Sequence, residues 1–374
     1  MKRTSELGFH AALAIIILAI VGAIGFAGWR VYSQQQGSKN NSDSSEDTSK
    51  NAFVYERRHP KSIKGVLDPG ESDAKKLLTG NFSDIQKLGA NTFYVYIDYS
   101  YENGQLQLTT WGVAKDHAEA EQKYVELIKL AKQKGLAVHV ALSFGGGRNS
   151  SFGVPIDQFM ADVEPFDTKW AKVAEQYKAE TFATSSEIDW QMFREYYQAK
   201  WDDQAGFNAA ISKSNEYHAR VLPKLREVFS GKIIYQAGLW SDKIGSGGYD
   251  IYGTGLNTSG AELKDFRDLA KKVYGYAQTN AKRQGGGWMV TEFWAPIYEQ
   301  GPPDQPHPAL KTPSGTPYPE IQDQFYKIAI EEYLNWQGDI KPSGFSFTSY
   351  FGQNATVKDR PAEALISEFY GSLP

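Results

Sequence analysis

The chain has 374 residues, a formal net charge of −4 and no cysteine. That length suits one large domain with extras, the absence of a basic surplus excludes a nucleic-acid-binding role, and without cysteine the fold stands on its core rather than on disulfides. Aromatic residues make up 14%, including 9 Trp and 22 Tyr, which serve either a large aromatic core or flat faces that stack on sugar rings, or both.

The N-terminal part reads as a membrane anchor. Ala11 to Trp29 is apolar and free of charge, and about 20 such residues cross a bilayer as a helix. Lys2 and Arg3 precede it and favour a cytoplasmic N-terminus, Arg30 behind it weakens that asymmetry, and Trp29 and Tyr32 suit an interfacial belt. A cleaved signal peptide is the alternative, but the run is long for one and no clean Ala-x-Ala site is present. Gln34 to Lys50 is rich in Ser, Asn, Gln and Asp and reads as a disordered tether. The expected organisation is a cytoplasmic stub at 1–10, a single-pass transmembrane anchor at 11–32, a disordered linker at 33–51 and a folded domain at 52–374 outside the cell membrane.

From there the pattern alternates strand and helix. Ser62 to Asp68 reads as a first strand ended by Pro69-Gly70, and Asp73 to Leu88 as a helix stopped by Gly89. Asn91 to Asp98 is a second strand whose period of two separates Phe93, Val95 and Ile97 from Tyr94, Tyr96 and Asp98; in a barrel the first set meets the helices and the second points inward. His117 to Lys134 is an amphipathic helix closed by Gly135. Leu136 to Ser143 is the third strand, with His139 read as a core histidine. Gly145 to Gly153 is a Gly/Ser-rich rim loop without the spacing or the lysine of a phosphate cradle. Asp157 to Lys178 is helical, and a fourth strand follows with Glu187 at its tip.

Trp190 to Phe229 is too long for one crossover and reads as a rim segment plus a helix. Lys232 to Gly238 and Tyr249 to Gly253 are the fifth and sixth strands, Ala261 to Arg283 a long helix, and Trp288 to Glu292 the seventh strand. Tyr298 to Pro319 is a Pro-rich loop over the mouth, Ile321 to Trp336 a helix, Ser343 to Thr348 the eighth strand, and Pro361 to Tyr370 the closing helix. Eight strands in alternation with helices predict an α/β fold, a (β/α)8 TIM barrel.

Two glutamates then stand out. Glu187 and Glu292 end the fourth and seventh strands, 105 positions apart, or three strand–helix repeats of about 35 residues. Strand ends of such a barrel converge on one mouth, and two convergent carboxyls are what cleavage of a glycosidic bond needs. For a solitary glutamate a solvated residue or ion pair is the plainer explanation; the pair at matching strands favours chemistry. Trp294 and Trp240 read as sugar platforms or core filler, Trp190 and Trp111 are open between the two, and Asp98 and Asp250 either bind hydroxyls or cap helices. No His, Asp and Cys cluster has metal-ligand spacing, no Gly-x-Ser-x-Gly elbow occurs, and no cofactor is expected.

From Ser62 to about Tyr370 the chain resembles the retaining glycoside hydrolases of clan A, (β/α)8 enzymes with catalytic glutamates on the fourth and seventh strands. Val290-Thr-Glu292-Phe-Trp-Ala resembles their nucleophile strand, Ala183-Thr-Ser-Ser-Glu187 their acid/base strand in the form of β-mannanase-like members, and Arg360-Pro-Ala-Glu363 the start of their last helix. The resemblance implies that Glu292 is the nucleophile and Glu187 the acid/base, and makes Tyr252 the candidate for the clan's tyrosine that hydrogen-bonds the nucleophile; from their positions, Asp98, Tyr96, Ser186, Trp240 and Trp294 are the expected substrate contacts. It departs in three places: Ser186 stands where the clan has Asn, the second strand ends at Asp98 without an Arg, and the eighth strand has Phe345, Phe347 and Tyr350 but no Trp. The expected protein is a membrane-anchored, outward-facing retaining β-glycosidase acting on a β-linked poly- or oligosaccharide. The alternative is a degenerate barrel that binds carbohydrate at the cell surface without cutting it, and a weaker third is a surface scaffold for protein contacts.

Overall fold

The structure, a computed structural model, describes residues 53–67, 71–110, 114–144, 153–299, 307–352 and 354–374, with the backbone alone at 71–73. The expected anchor at 11–32 and the stub and linker around it, the Pro69-Gly70 turn, Trp111 and the Gly145-to-Phe152 part of the rim loop lie outside the described residues. Among the described residues no helix is long and apolar enough to cross a membrane.

Eight parallel strands close into a barrel: β1 (Ile63–Leu67), β2 (Thr92–Glu102), β4 (Ala137–Phe144), β5 (Thr181–Ala183), β6 (Lys232–Ala237), β7 (Ile251–Asn257), β8 (Gly287–Trp294) and β9 (Gly344–Thr348). Closure is made by β1, which pairs with β2 on one side and β9 on the other. The intervening β3 (Gln105–Leu108) is not a barrel strand but folds back antiparallel on β2, with Tyr99 opposite Leu108. The sequence reading ended the second strand at Asp98 and missed this hairpin, although Asn103-Gly104, both at positive φ, is a strong turn signal.

The helices are α1 (Glu71–Leu77), α2 (Ser83–Lys87), α3 (His117–Gln133), α4 (Ile156–Gln176), α5 (Ile188–Gln191), α6 (Gln204–Val228), α7 (Leu263–Gln284), α8 (Tyr318–Leu334) and α9 (Pro361–Ser372), with a π-helical turn at Met192–Tyr196 between α5 and α6. The single helix expected from Asp73 to Leu88 is two, broken at Gly80, whose φ of 78° no helix accepts. Local chemistry explains other boundaries: the Asp116 carboxylate accepts the Glu119 amide at 2.8 Å to start α3, and Gly285 ends α7 in the left-handed region.

The alternation read from β2 holds. Tyr94 and Tyr96 belong with Ile63, Ala141, Ala183, Ile234 and Met289 inside the barrel, whereas Phe93, Val95, Ile97 and Tyr99 join the larger core between strands and helices. His139 is a core histidine, fully buried, its Nδ1 2.7 Å from the Thr181 hydroxyl. At the N-terminal ends of the strands, residues 53–60 form an extended strap. Arg57 donates to the Ala179 carbonyl at 2.9 Å and pairs with Glu175, and the Arg58 amide donates to Glu180 at 2.6 Å. Beneath the strap, Glu180 and Lys132 form an ion pair with side chains 5% and 1% exposed.

Candidate active site

The carboxyl ends of β5 to β8 surround a cavity of about 670 Å3, lined by Glu187 and Glu292 together with Trp190, Arg194, Trp201, Trp240 and Trp294. Gly255 on β7 lies between the two acids: a Cβ there would sit 3.4 Å from Glu187 Oε1 and 3.9 Å from the Glu292 carbonyl oxygen. The two glutamates therefore share one pocket, at the face where barrels of this kind gather their reactive groups.

Each glutamate is aimed by a local irregularity. In β8, Trp288, Val290 and Phe293 face the helices while Met289 points into the barrel. Strict alternation would send Glu292 outward beside Val290. The pairing with β7 instead runs from Thr254–Val290 to Gly255–Glu292, which leaves Thr291 as an inserted residue. This bulge turns Glu292 inward, the re-aiming that bulges beside functional sites perform. Glu187 stands just past β5 with φ 55° and ψ 32°. A non-glycine residue there costs about 1–3 kcal/mol and persists only where its surroundings impose it. Here the Ser186 amide donates to the Leu142 carbonyl at 2.6 Å and the Glu187 amide to the Gln236 carbonyl at 3.0 Å. Two buried carboxylates flank the turn: Asp167 accepts the Ser185 amide at 3.0 Å, and Asp189 accepts the amides of Gly238 at 3.0 Å and Leu239 at 2.8 Å.

The electrostatics separate the pair. Burial raises the Glu187 carboxyl well above the usual range, and the charges of Glu292 and Asp189 push it further. Burial also raises Glu292, but the facing Thr348 hydroxyl offsets part of that rise. Both carboxyls are thus raised, and the negative charge of Glu292 favours retention of a proton on Glu187.

The other residues singled out in the sequence divide. Tyr96 and Ser186 form a polar cluster near the acids, outside the cavity lining: their hydroxyls lie 2.6 Å apart, and the Gln236 amide donates to Tyr96 at 2.9 Å. Burial, then the charges of Glu292 and Glu187, hold the Tyr96 phenol protonated. Trp240 and Trp294 stand in the cavity wall, Trp240 fixed by its Nε1 donating to the Gly255 carbonyl at 2.8 Å. Asp98 is buried opposite Ser143 on β4 and is not among the residues lining the cavity. Tyr252 does not reach the glutamates. It packs between strands and helices, stacked on Tyr235 at 5.9 Å, because it shares the outward face of β7 with Thr254 rather than with Gly253 and Gly255, which face Thr291 and the acids. Asp250 accepts the Ile233 amide at 2.7 Å and an Arg226 donor at 2.6 Å at the opposite end of the barrel. Phe345, Phe347 and Tyr350 lie in the outer core.

Sequence reasoning missed Asp189, Gln236, Thr348, Arg194 and Trp201. Asp189, Arg194 and Trp201 follow Glu187 by 2, 7 and 14 positions, a proximity that carried a usable signal; Gln236 and Thr348 come from other strands and are joined to the site by the fold alone.

No protein-family model and no curated protein matches the sequence. Its structure is similar to a GH113 β-1,4-mannanase, with a TM-score of 0.59 at 13% identity over 84% of this chain and 100% of that one. It is similar, too, to the GH113 β-mannanase AaManA from Alicyclobacillus acidocaldarius in complex with ManMIm, with a TM-score of 0.55 at 11% identity over 84% and 98%. A β-glucuronidase of an uncultured Clostridium sp. matches with a TM-score of 0.54 at 14% identity over 84% of this chain and 51% of that one. The fold is the (β/α)8 barrel of these hydrolases. At such identities the likeness is one of architecture, and the chemistry of this barrel has to be argued from its own residues.

Proposed function

We propose that this protein is a retaining β-glycosidase that cleaves β-linked poly- or oligosaccharide by double displacement. The observation that carries the reading is the pair Glu187 and Glu292, opening on one cavity at the carboxyl end of the barrel, with Glu187 raised by burial and by the charge of Glu292. Glu292, ionised, attacks the anomeric carbon. Glu187, protonated, gives its proton to the departing glycosidic oxygen and then, as the base, activates the water that releases the sugar. Tyr96, with Ser186 and Gln236, supplies fixed hydrogen-bonding groups beneath the sugar, and Trp240 and Trp294 supply ring faces. The barrel fold common to β-mannanases and a β-glucuronidase supports a glycoside substrate, and the names of the first of these put β-1,4-mannan at the head of the panel to be tried. The uncharged run from Ala11 to Trp29 supports a membrane-tethered, extracytoplasmic enzyme.

The Glu292→Gln variant tests the chemistry. Wild type is expected to release reducing ends from at least one of β-mannan, β-glucan and xylan, and the variant to lose that release by at least about 1,000-fold. Unchanged hydrolysis in the variant refutes the reading. Ser186 and the lack of an Arg at the end of β2 favour the second reading, a sugar-binding barrel without turnover; sugar binding by a wild type that cleaves nothing would support it. For the tether, the full chain is expected to pellet with membranes and a chain lacking residues 1–32 to stay in the supernatant.

A further inference from the structure

The segment after Glu187 builds an aromatic wall along one side of the cavity. Trp190 stacks on Phe193 at 5.6 Å and on Trp201 at 5.4 Å, with the ring planes within 23° and 27° of parallel. Phe193 and Trp201 meet at 5.3 Å. The π-helical turn at Met192–Tyr196 carries Phe193 and Arg194, and such turns recur at functional sites. The Arg194 guanidinium lies 5.5 Å from the Trp190 ring centre and donates to Glu195 at 3.2 Å. Phe193 is buried, Trp190 half-buried, and Trp201 is 64% exposed while lining the cavity. Among the described residues the other exposed large apolar side chains, Phe53, Val54, Tyr197 and Leu334, are not in the cavity lining. Wetting an indole face is unfavourable, and covering it with the apolar face of a sugar ring removes that cost.

The wall belongs to the Glu187 side of the site. A Cβ on Gly238 would lie 2.7 Å from Trp190 Cβ and 2.9 Å from Glu187 Cβ, so the two side chains rise next to each other. Trp294, by contrast, follows Glu292 by two residues and borders a second cavity of about 410 Å3 with Tyr298, Lys311 and Tyr318. Glu187 gives its proton to the leaving oxygen, so the sugar attached to that oxygen lies along the Trp190–Trp201 wall. We infer that Trp201 and Trp190, with Arg194 donating to hydroxyls beside them, form a binding site for the leaving-group sugar of a β-linked oligosaccharide. Binding there makes turnover depend on at least one sugar ring beyond the scissile bond. This inference rests on the glycosidase reading.

The test compares substrates with and without a ring in the leaving group: β-1,4-manno- and cello-oligosaccharides against the matching β-glycosyl fluorides. Trp201 is exposed, so Trp201→Ala is expected to fold. Its kcat/KM on the oligosaccharides should fall roughly five- to tenfold, its rate on the fluorides should stay within about twofold, and Trp201→Phe should recover most of the loss. Equal changes on both substrate classes, or none on either, overturn the inference. Should wild type hydrolyse no β-glycoside, the glycosidase reading fails on its own. Calorimetric titration of the same oligosaccharides into wild type and Trp201→Ala then decides the wall separately: unchanged affinity overturns it, and weakened affinity upholds it as a sugar-binding surface.

Discussion

Asp189 and Gly238 tie the turn that carries Glu187 to the tip of the neighbouring strand: Asp189 Oδ1 accepts the Gly238 amide at 3.0 Å, and Oδ2 accepts Leu239 at 2.8 Å. The carboxyl is fully buried, and burial outweighs these donors to raise its pKa to about 6. Asp189→Ala leaves two amides without their acceptor, at a cost of about 1–3 kcal/mol each, and loosens Glu187. Activity is expected to drop about 10- to 100-fold. Asp189→Asn keeps one acceptor oxygen but removes a charge that helps hold the Glu187 proton, so the alkaline limb of kcat/KM moves to lower pH. A pH–rate profile of the two variants checks both outcomes.

Stability should fall as the solution becomes alkaline. Asp167 is raised to about 7 and Asp189 to about 6, chiefly by burial, and Glu187 and Glu292 are raised for the same reason. In the unfolded chain these groups release their protons near pH 4. Between there and about pH 7 the native state holds protons that the unfolded state has lost, so the contribution is complete below pH 4 and disappears as pH rises through the folded values. Melting temperature is expected to decrease from pH 5 to pH 8. Glu187→Gln removes one such carboxyl and should raise Tm at pH 8, by on the order of 2 °C or more, with a smaller effect at pH 4.5. Equal shifts at both pH values would contradict this account.

Gly253 guards the bulge that aims Glu292. A Cβ there would lie 2.2 Å from Thr291 Cγ2 and 3.2 Å from Ile234 Cγ2. Overpacking of this kind costs about 1–3 kcal/mol, and the side chain that must yield is the inserted residue of β8. Gly253→Ala is expected to lower Tm by several degrees and kcat by about tenfold or more, measured well below the new melting point so that lost activity is not lost fold.

Glu180 offers the reverse pattern, with stability lost and catalysis kept. It accepts from Lys132 Nζ, the Val138 amide and the Arg58 amide at the end of the barrel away from the cavity. Glu180→Ala leaves the Lys132 ammonium buried without its counter-charge, which costs about 3–5 kcal/mol. Urea unfolding should show that loss, while kcat at a permissive temperature stays within about twofold of wild type.

The barrel was legible in the chain because its signals are local. Period-two runs such as Phe93 to Asp98, helical stretches ended by Gly135 or Gly285, and the regular spacing of eight strands all follow from backbone geometry that a residue and its near neighbours settle. The same reading located Glu187 and Glu292 at strand ends. It ran two helices together across Gly80, passed over the Asn103-Gly104 hairpin and assigned Tyr252 to the site, because a two-residue slip along a strand or turn is invisible without its partners.

The sequence by itself determined the barrel's repeat, the two acids and the aromatic supply. The tertiary structure decided which way those acids point and which rings meet a ligand. Glu292 faces the cavity only because β8 carries one more residue than β7 between paired positions, and Glu187 keeps a left-handed backbone only because Gln236 and Asp189 bind the turn around it. Register between strands, and hydrogen bonds between residues some fifty positions apart, are properties of the closed barrel; no local run of residues encodes them.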